Sequence, residues 1–256
     1  MTRVISIINE KGGSGKTTTA VSLGAFLTKN GKKVLLCDLD PQGNATTSLG
    51  LDLKHLSLNF YHALSQQVPL KDIIKPTSLF NFDIAPASAD LAGSNIELLD
   101  KENRENILSN ILSPLKEDYD FILLDPPPSL GILTINALVA ADEVIVPIQC
   151  EFFALKSLDE LFEIFNLLKR NLNKEFSQVF GLLTMYDKRN ILSREIAKEA
   201  EKKFPGKMLE TVIPRSIRLA EAPKYGKTIL QYAPESKGAR AYESLAEEII
   251  KYNQLP

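Results

Sequence analysis

Cysteine is scarce in this chain. Only Cys37 and Cys150 occur among 256 residues, far apart and in or beside apolar runs. That pattern suits buried free thiols in a reducing compartment. It leaves no disulfide framework, no cysteine-based zinc site and no thiolate cluster for an iron–sulfur centre. Long apolar runs are missing as well. No stretch approaches the ~20 residues that a membrane span needs. The first apolar run, 4–8, is too short for a secretory signal and runs into glycines. A basic excess is also absent: 30 Lys/Arg face 32 Asp/Glu, a net charge of −2, so contact with nucleic acid would need a local patch. No repeat, low-complexity segment or linker divides the chain, and one domain over 1–256 is expected.

What is present alternates. Short apolar runs at 4–8, 34–38, 82–85, 121–125, 144–148 and 179–185 read as strands. Helical patterns intervene at 17–30, 104–116, 130–141, 156–171, 193–204 and 238–252, the first closed by Gly31. Continuous apolar runs suit parallel strands covered on both faces. The alternation predicts an α/β fold with a doubly wound, mostly parallel sheet flanked by helices. Ligands of such sheets bind beyond the carboxyl ends of the strands. The stretch 50–77 reads only as short helices and turns.

The first strand runs into Lys11-Gly12-Gly13-Ser14-Gly15-Lys16-Thr17-Thr18 and then a helix. A glycine-rich turn at a helix N-terminus aims several backbone N–H groups, and the positive end of the helix, at one point. Lys16 adds a full charge for outer phosphates, and the Thr17 hydroxyl can ligate Mg²⁺. The segment is therefore a triphosphate cradle. The usual G-x-x-x-x-G-K-[ST] pattern is altered: Glu10 fills its first position, and a second lysine, Lys11, follows. This variant resembles the deviant Walker A loop of the ParA/MinD group of ATPases.

Two strands end in carboxylates, 34–38 with Asp38 and then Asp40, and 121–125 with Asp125. A carboxylate at a strand end beside a phosphate loop can hold Mg²⁺, usually through water, as a Walker B Asp does. Asp40 could do this, or orient the attacking water. Asp38, two residues before Asp40 in an extended strand, would point to the same side. Any of the three could instead accept only turn hydrogen bonds.

D-x-D-P-Q-G-N-A-T from Asp38, D-x-P-P-S-L from Asp125 and A-D-x-x-I-V-P-I-Q from Ala141 make the resemblance close. So do C-E-F-F-A-L at 150–155, T-M-Y-D at 184–187, Ile213-Pro214-Arg215 and R-L-A-E-A-P from Arg218. Together they resemble the ParA/Soj partition ATPases over residues 3–250. Pro128, a third proline after Asp125, is a small departure. The resemblance implies ATP and Mg²⁺ as cofactors and an ATP-sandwich homodimer. In that dimer Lys11 reaches the partner's phosphates, and Gly12 has to stay small at the closing interface. Lys11, Lys16 and Asp40 become the catalytic set, and Thr17, Asp40 and Asp125 the metal set. Residues 11–18 hold the phosphates, while Met185, Asp187, Pro214 and Arg215 fall where the family contacts adenine. Non-specific double-stranded DNA and a centromere-binding ParB/Spo0J-type protein are the implied partners, with a cytoplasmic, nucleoid-associated location.

The segment 188–240 carries 13 Lys/Arg against 6 Asp/Glu, a local excess of seven positive charges. A basic patch on an acidic body is the footprint of phosphate-backbone binding. Arg189 and Arg218 match positions linked to DNA binding in Soj-like proteins, with Lys188, Lys224, Lys227, Lys237 and Arg240 as helpers. The alternative is a MinD-like division ATPase bound to membrane by a basic amphipathic helix. The segment 247–256, with paired acids, one lysine and a final proline, makes a poor anchor of that kind.

Overall fold

All six apolar runs become strands of an eight-stranded sheet in the computed structural model, which describes residues 1–151, 154–204 and 207–252. The strands are β1 (Arg3–Ile7), β2 (Val34–Asp38), β3 (Lys75–Pro76), β4 (Phe82–Ala85), β5 (Phe121–Asp125), β6 (Glu143–Gln149), β7 (Gln178–Thr184) and β8 (Lys207–Met208). Their order across the sheet is β3-β4-β2-β5-β1-β6-β7-β8. Every pairing is parallel except β3 against β4. The two strands that the sequence does not announce, β3 and β8, are two-residue edges. They are too short for periodicity to register, and Pro76 is tolerated because an edge strand need not donate on both sides.

β1, β2 and β5 are buried at every position, as a sheet covered on both faces requires. Chain order reverses beside β1: the chain moves outward to β2 and β4, returns as β5, then crosses β1 to β6 and β7. The carboxyl ends of these central strands therefore converge on the loop that follows β1. Among solvent-facing helices the expected spans hold to within two or three residues, as in Ala154–Leu172, Ile191–Lys203 and Lys237–Lys251. The span 104–116 is the exception. It divides into a 3₁₀ turn, a short helix Ile107–Leu112 and a second 3₁₀ turn that contains Pro114. Proline lacks the N–H that would continue the helix. The stretch 50–77 forms short helices at Phe60–Leu64 and Leu70–Ile73 with turns between them.

The helix Lys16–Lys29 is buried from Thr19 to Leu27 on all sides. A helix apolar all round belongs inside the protein. It lies between the sheet and the helix Lys237–Lys251, whose Tyr242 hydroxyl meets Thr19 Oγ1 at 3.0 Å with both side chains fully buried. Two layers thus clamp the helix that starts at the phosphate loop. Of the motif at 150–155, Phe152 and Phe153 lie outside the described residues, as does 253–256 of the final segment. Among the described residues no helix is long and apolar enough to cross a membrane.

Candidate functional site

The loop after β1 is held from two neighbouring strands, β6 and β7. Asn9 donates its side-chain N–H to Pro147 O (2.7 Å) and accepts from the Lys11 backbone N–H (2.9 Å). Thr184 at the end of β7 donates to Ser14 O (2.8 Å). Gly13 and Gly15 have φ of 75° and 95°, in the left-handed region that side chains resist. The helix then begins at Lys16 with no acidic residue in its first turn, so its positive end is not neutralised from within. An anion is what such an end accepts.

A cleft of about 520 Å³ opens at this point. Gly12, Gly13, Gly15, Lys16, Thr17 and Thr18 form one wall, and Asp40 another. Lys16 is 7% exposed; burial lowers its pKa, opposed by the charges of Asp125 and Asp40. Its ammonium donates to Lys11 O at 3.3 Å, a long bond that a phosphate oxygen could replace. Ser14 is buried in the loop and does not line the cleft.

Asp125 lies beneath the cleft, 1% exposed, and neither carboxylate oxygen has a hydrogen-bond partner in the protein. Burial above all, and then the charge of Asp38, raise its pKa well above the usual range. The Thr17 hydroxyl and Lys16 oppose that shift, although neither makes a well-formed hydrogen bond to the carboxylate. A buried carboxylate without a partner is costly unless a cation completes it. Thr17 Oγ1, Asp125 and Asp40 offer the hard oxygen ligands that Mg²⁺ prefers, and this donor set fits the ion. No group of three or more His, Cys, Asp or Glu side chains that could hold a metal ion occurs among the described residues. A bound Mg²⁺ would draw the rest of its shell from phosphate and water, as is usual for that ion.

Asp38 and Asp40 remain neighbours at the end of β2 but differ in burial and partners. β2 ends at Asp38, and the chain turns at Pro41 and Gln42, just after Asp40. Asp38 is buried and accepts from Thr46 N (2.8 Å), Thr46 Oγ1 (2.7 Å) and Asp40 N (3.3 Å). Its pKa is pushed up to about 6 by burial, against the pull of those bonds. Asp38 is thus the anchor of the segment 40–48. Asp40 remains at the cleft, taking only the Gln42 N–H at 3.0 Å. Gln42, Asn44 and Ser48 join it there. The sequence offers Gln42 and Asn44 within P-Q-G-N-A-T and Ser48 two residues beyond it, but motif spacing alone does not show which of them line the cleft.

Lys11 faces away from the cleft. Its ammonium pairs with Glu151 at 2.9 Å, and Glu151 also accepts from Gln149 (2.5 Å) and lies 3.7 Å from Arg215. Any role for Lys11 on a partner's phosphates requires this bond to open. A Cβ at Gly12 would meet nothing within 4 Å in this chain. Beside the loop, Met185, Pro214 and Arg215 line an adjoining, mostly apolar pocket of about 370 Å³, together with Tyr242 and Leu219. Asp187 is not part of that pocket but lines a neighbouring one together with Met185 and Arg215, and it binds Arg189 through both carboxylate oxygens, at 3.1 and 2.9 Å. That bond holds Asp187 at a pKa of about 2.

The residues expected to touch DNA are all exposed. Arg189 pairs with Asp187 (2.9 Å), Arg218 with Glu221 (2.9 Å) and Arg240 with Glu235 (3.4 Å). Lys188, Lys224, Lys227 and Lys237 form no ion pair with any described residue. Lys227 lines the cleft beside Lys16, Thr17 and Asp40.

Comparison with known proteins agrees with this geometry. Residues 2–178 match the AAA domain family AAA_31. The chain is 47% identical to the sporulation initiation inhibitor protein Soj of Bacillus subtilis, covering 97% of this chain and 98% of Soj. It is 44% identical to the chromosome-partitioning ATPase Soj of Treponema pallidum, covering 98% of each. Among solved structures, one named cobyrinic acid a,c-diamide synthase from Mycobacterium smegmatis, with bound ADP and magnesium, superposes with a TM-score of 0.86 at 35% identity, covering 99% and 96% of the two chains. The septum site-determining protein MinD of Pyrococcus horikoshii, complexed with Mg-ADP, gives 0.81 at 30%, covering 99% and 98%. MinD thus shares the fold at lower identity than either Soj. This chain belongs to the ParA/Soj family of partitioning P-loop ATPases.

Proposed function

We propose that this chain is a Mg²⁺-dependent ATPase that moves chromosomal or plasmid DNA, switching between DNA-bound and free states as it hydrolyses ATP. The observation that carries this is the pairing of an unneutralised helix N-terminus and half-paired Lys16 with the partnerless buried carboxylate of Asp125. That arrangement lacks two things, a polyanion and a divalent cation, and ATP·Mg²⁺ supplies both.

Bound Mg²⁺, held by Thr17 and through water by Asp125 and Asp40, would neutralise charge on the outer phosphates. The residues of the chain do the rest. Backbone N–H groups of 12–18 bind and orient the phosphates, and Lys16 fixes the terminal one. Asp40 accepts a hydrogen bond from the attacking water and aligns it. Met185, Pro214 and Arg215 enclose the adenine, with Asp187 bordering Met185 and Arg215. In an ATP-bound homodimer Lys11 leaves Glu151 and stabilises the partner's leaving oxygens, so turnover depends on pairing. The open space at Gly12 is where that partner closes. Two weak basic surfaces joined in one dimer bind duplex DNA more tightly than either alone. A ParB-type partner would trigger hydrolysis and release.

The test is binding to random-sequence duplex DNA with ATP and with ADP across a salt series, beside anionic liposomes. ATP-dependent, salt-sensitive DNA binding supports the proposal. Liposome binding without DNA binding would move the chain to a membrane-directed role.

A further inference from the structure

We propose that Lys227 is a nucleotide ligand, a second cleft cation that contacts the phosphates of bound ATP. The inference rests on the nucleotide assignment of the cleft and is independent of DNA binding. By sequence Lys227 belongs to the basic segment 188–240; in the fold it lines the same cleft as Lys16, Thr17 and Asp40. Its ammonium has no ion pair with any described residue, whereas Arg189, Arg218 and Arg240 each hold a carboxylate. A cation at the rim of a polyanion cleft with no acid of its own gains most from a phosphate.

The backbone around Lys227 is held in place before any ligand arrives. Its N–H donates to Ala222 O (3.3 Å), and the Gly226 N–H donates to Pro223 O (3.0 Å). On its other side, Thr228 opens the short helix Ile229–Tyr232 with its N–H on Gln231 Oε1 (3.0 Å). The turn itself rests on a second turn. Gly226 (φ 59°) and Gly50 (φ 84°) meet backbone to backbone, and a Cβ on Gly226 would lie 2.8 Å from Gly50 Cα. Gly50 closes the short segment whose Asn44 and Ser48 also line the cleft. Lys227 and the Asp40–Ser48 wall are therefore positioned together. A tether that costs little further ordering is what a ligand-binding side chain needs.

The experiment is calorimetric titration of the full chain with a non-hydrolysable ATP analogue and Mg²⁺, and separately with adenosine. Unaltered protein, Lys227→Ala and Lys227→Arg are compared. The expected result is an about tenfold weaker analogue affinity in Lys227→Ala, about 1.4 kcal/mol, with adenosine unchanged and substantial recovery in Lys227→Arg. Analogue affinity equal to that of the unaltered chain overturns the inference, whatever happens to DNA binding. So does an equal loss for analogue and adenosine, which would make Lys227 a wall of the base pocket. If the unaltered chain binds no analogue, the nucleotide assignment fails and this inference fails with it. Absence of DNA binding alone would overturn only the proposed cellular role.

Discussion

The nucleotide cleft and the 188–240 surface keep their charges in opposite ways. In the cleft, Lys16 and Asp125 are buried and under-paired; Asp125 has no partner at either oxygen. On the surface, Arg189, Arg218 and Arg240 are exposed and each is matched by a nearby acid. An unpaired charge in a low-dielectric interior costs the fold and is released when its ligand binds. A paired charge in water is screened and gives up its partner at little cost. The first arrangement gives a stringent site for one ligand. On the proposed reading, the second would trade acids for phosphates and discriminate weakly, as binding along a DNA backbone requires.

The sharpest way to break this contrast is at Lys11, which stands at the border of the two regions. Lys11→Ala should keep ATP affinity yet lose turnover by roughly 10³-fold, the scale of a cation supplied in trans. Single-turnover hydrolysis together with sedimentation checks it, and normal turnover would sink the trans role. Asp125→Asn comes next. It should cut Mg²⁺-dependent hydrolysis by about 10²-fold, within the range seen for loss of one electrostatic group.

The same substitution should stabilise the ligand-free chain at neutral pH, because it removes the cost of a buried carboxyl group without a partner. The pH dependence follows in sign. Asp125 and Asp38 both have folded pKa values raised above the usual 3.8, Asp38 to about 6. Their contribution to stability is fully present below about pH 4 and is lost as pH rises through about 6 and beyond. Melting temperatures of the ligand-free protein should therefore fall over that window, and less steeply in Asp125→Asn. A steeper fall in the variant would contradict the assignment.

The surface should respond more mildly. Arg189→Glu or Arg218→Glu should weaken DNA binding by about tenfold or more and flatten its salt dependence, since each phosphate contact adds roughly one to the slope. ATP affinity should not move. Smallest of all, Asp187→Asn frees Arg189 from its ion pair and should raise DNA affinity by roughly twofold at low salt, the scale of an exposed ion pair. A loss instead would mean that Asp187 holds Arg189 in its binding posture.

Legibility follows the same division. The loop 11–18 and the acids at 40 and 125 stand out as candidates in sequence because phosphate and Mg²⁺ chemistry calls for particular residues at fixed spacing from a strand end. The parallel sheet was readable because strands covered on both faces are apolar without interruption. The strands β3 and β8 were not, for a two-residue edge leaves no period. Nor could spacing separate Asp38 from Asp40, because the chain leaves the strand between them and only Thr46, eight residues on, decides which acid turns inward.

The sequence by itself determined the fold class, the phosphate cradle and the family, since each depends on local residue order. The tertiary structure alone decided that Lys11 rests on Glu151, that Asp125 is left without a partner and that Lys227 stands in the cleft. Each of these joins residues more than a hundred positions apart or from different turns of the chain. Their meeting depends on the reversal of strand order beside β1, which gathers the carboxyl ends of the central strands around one loop.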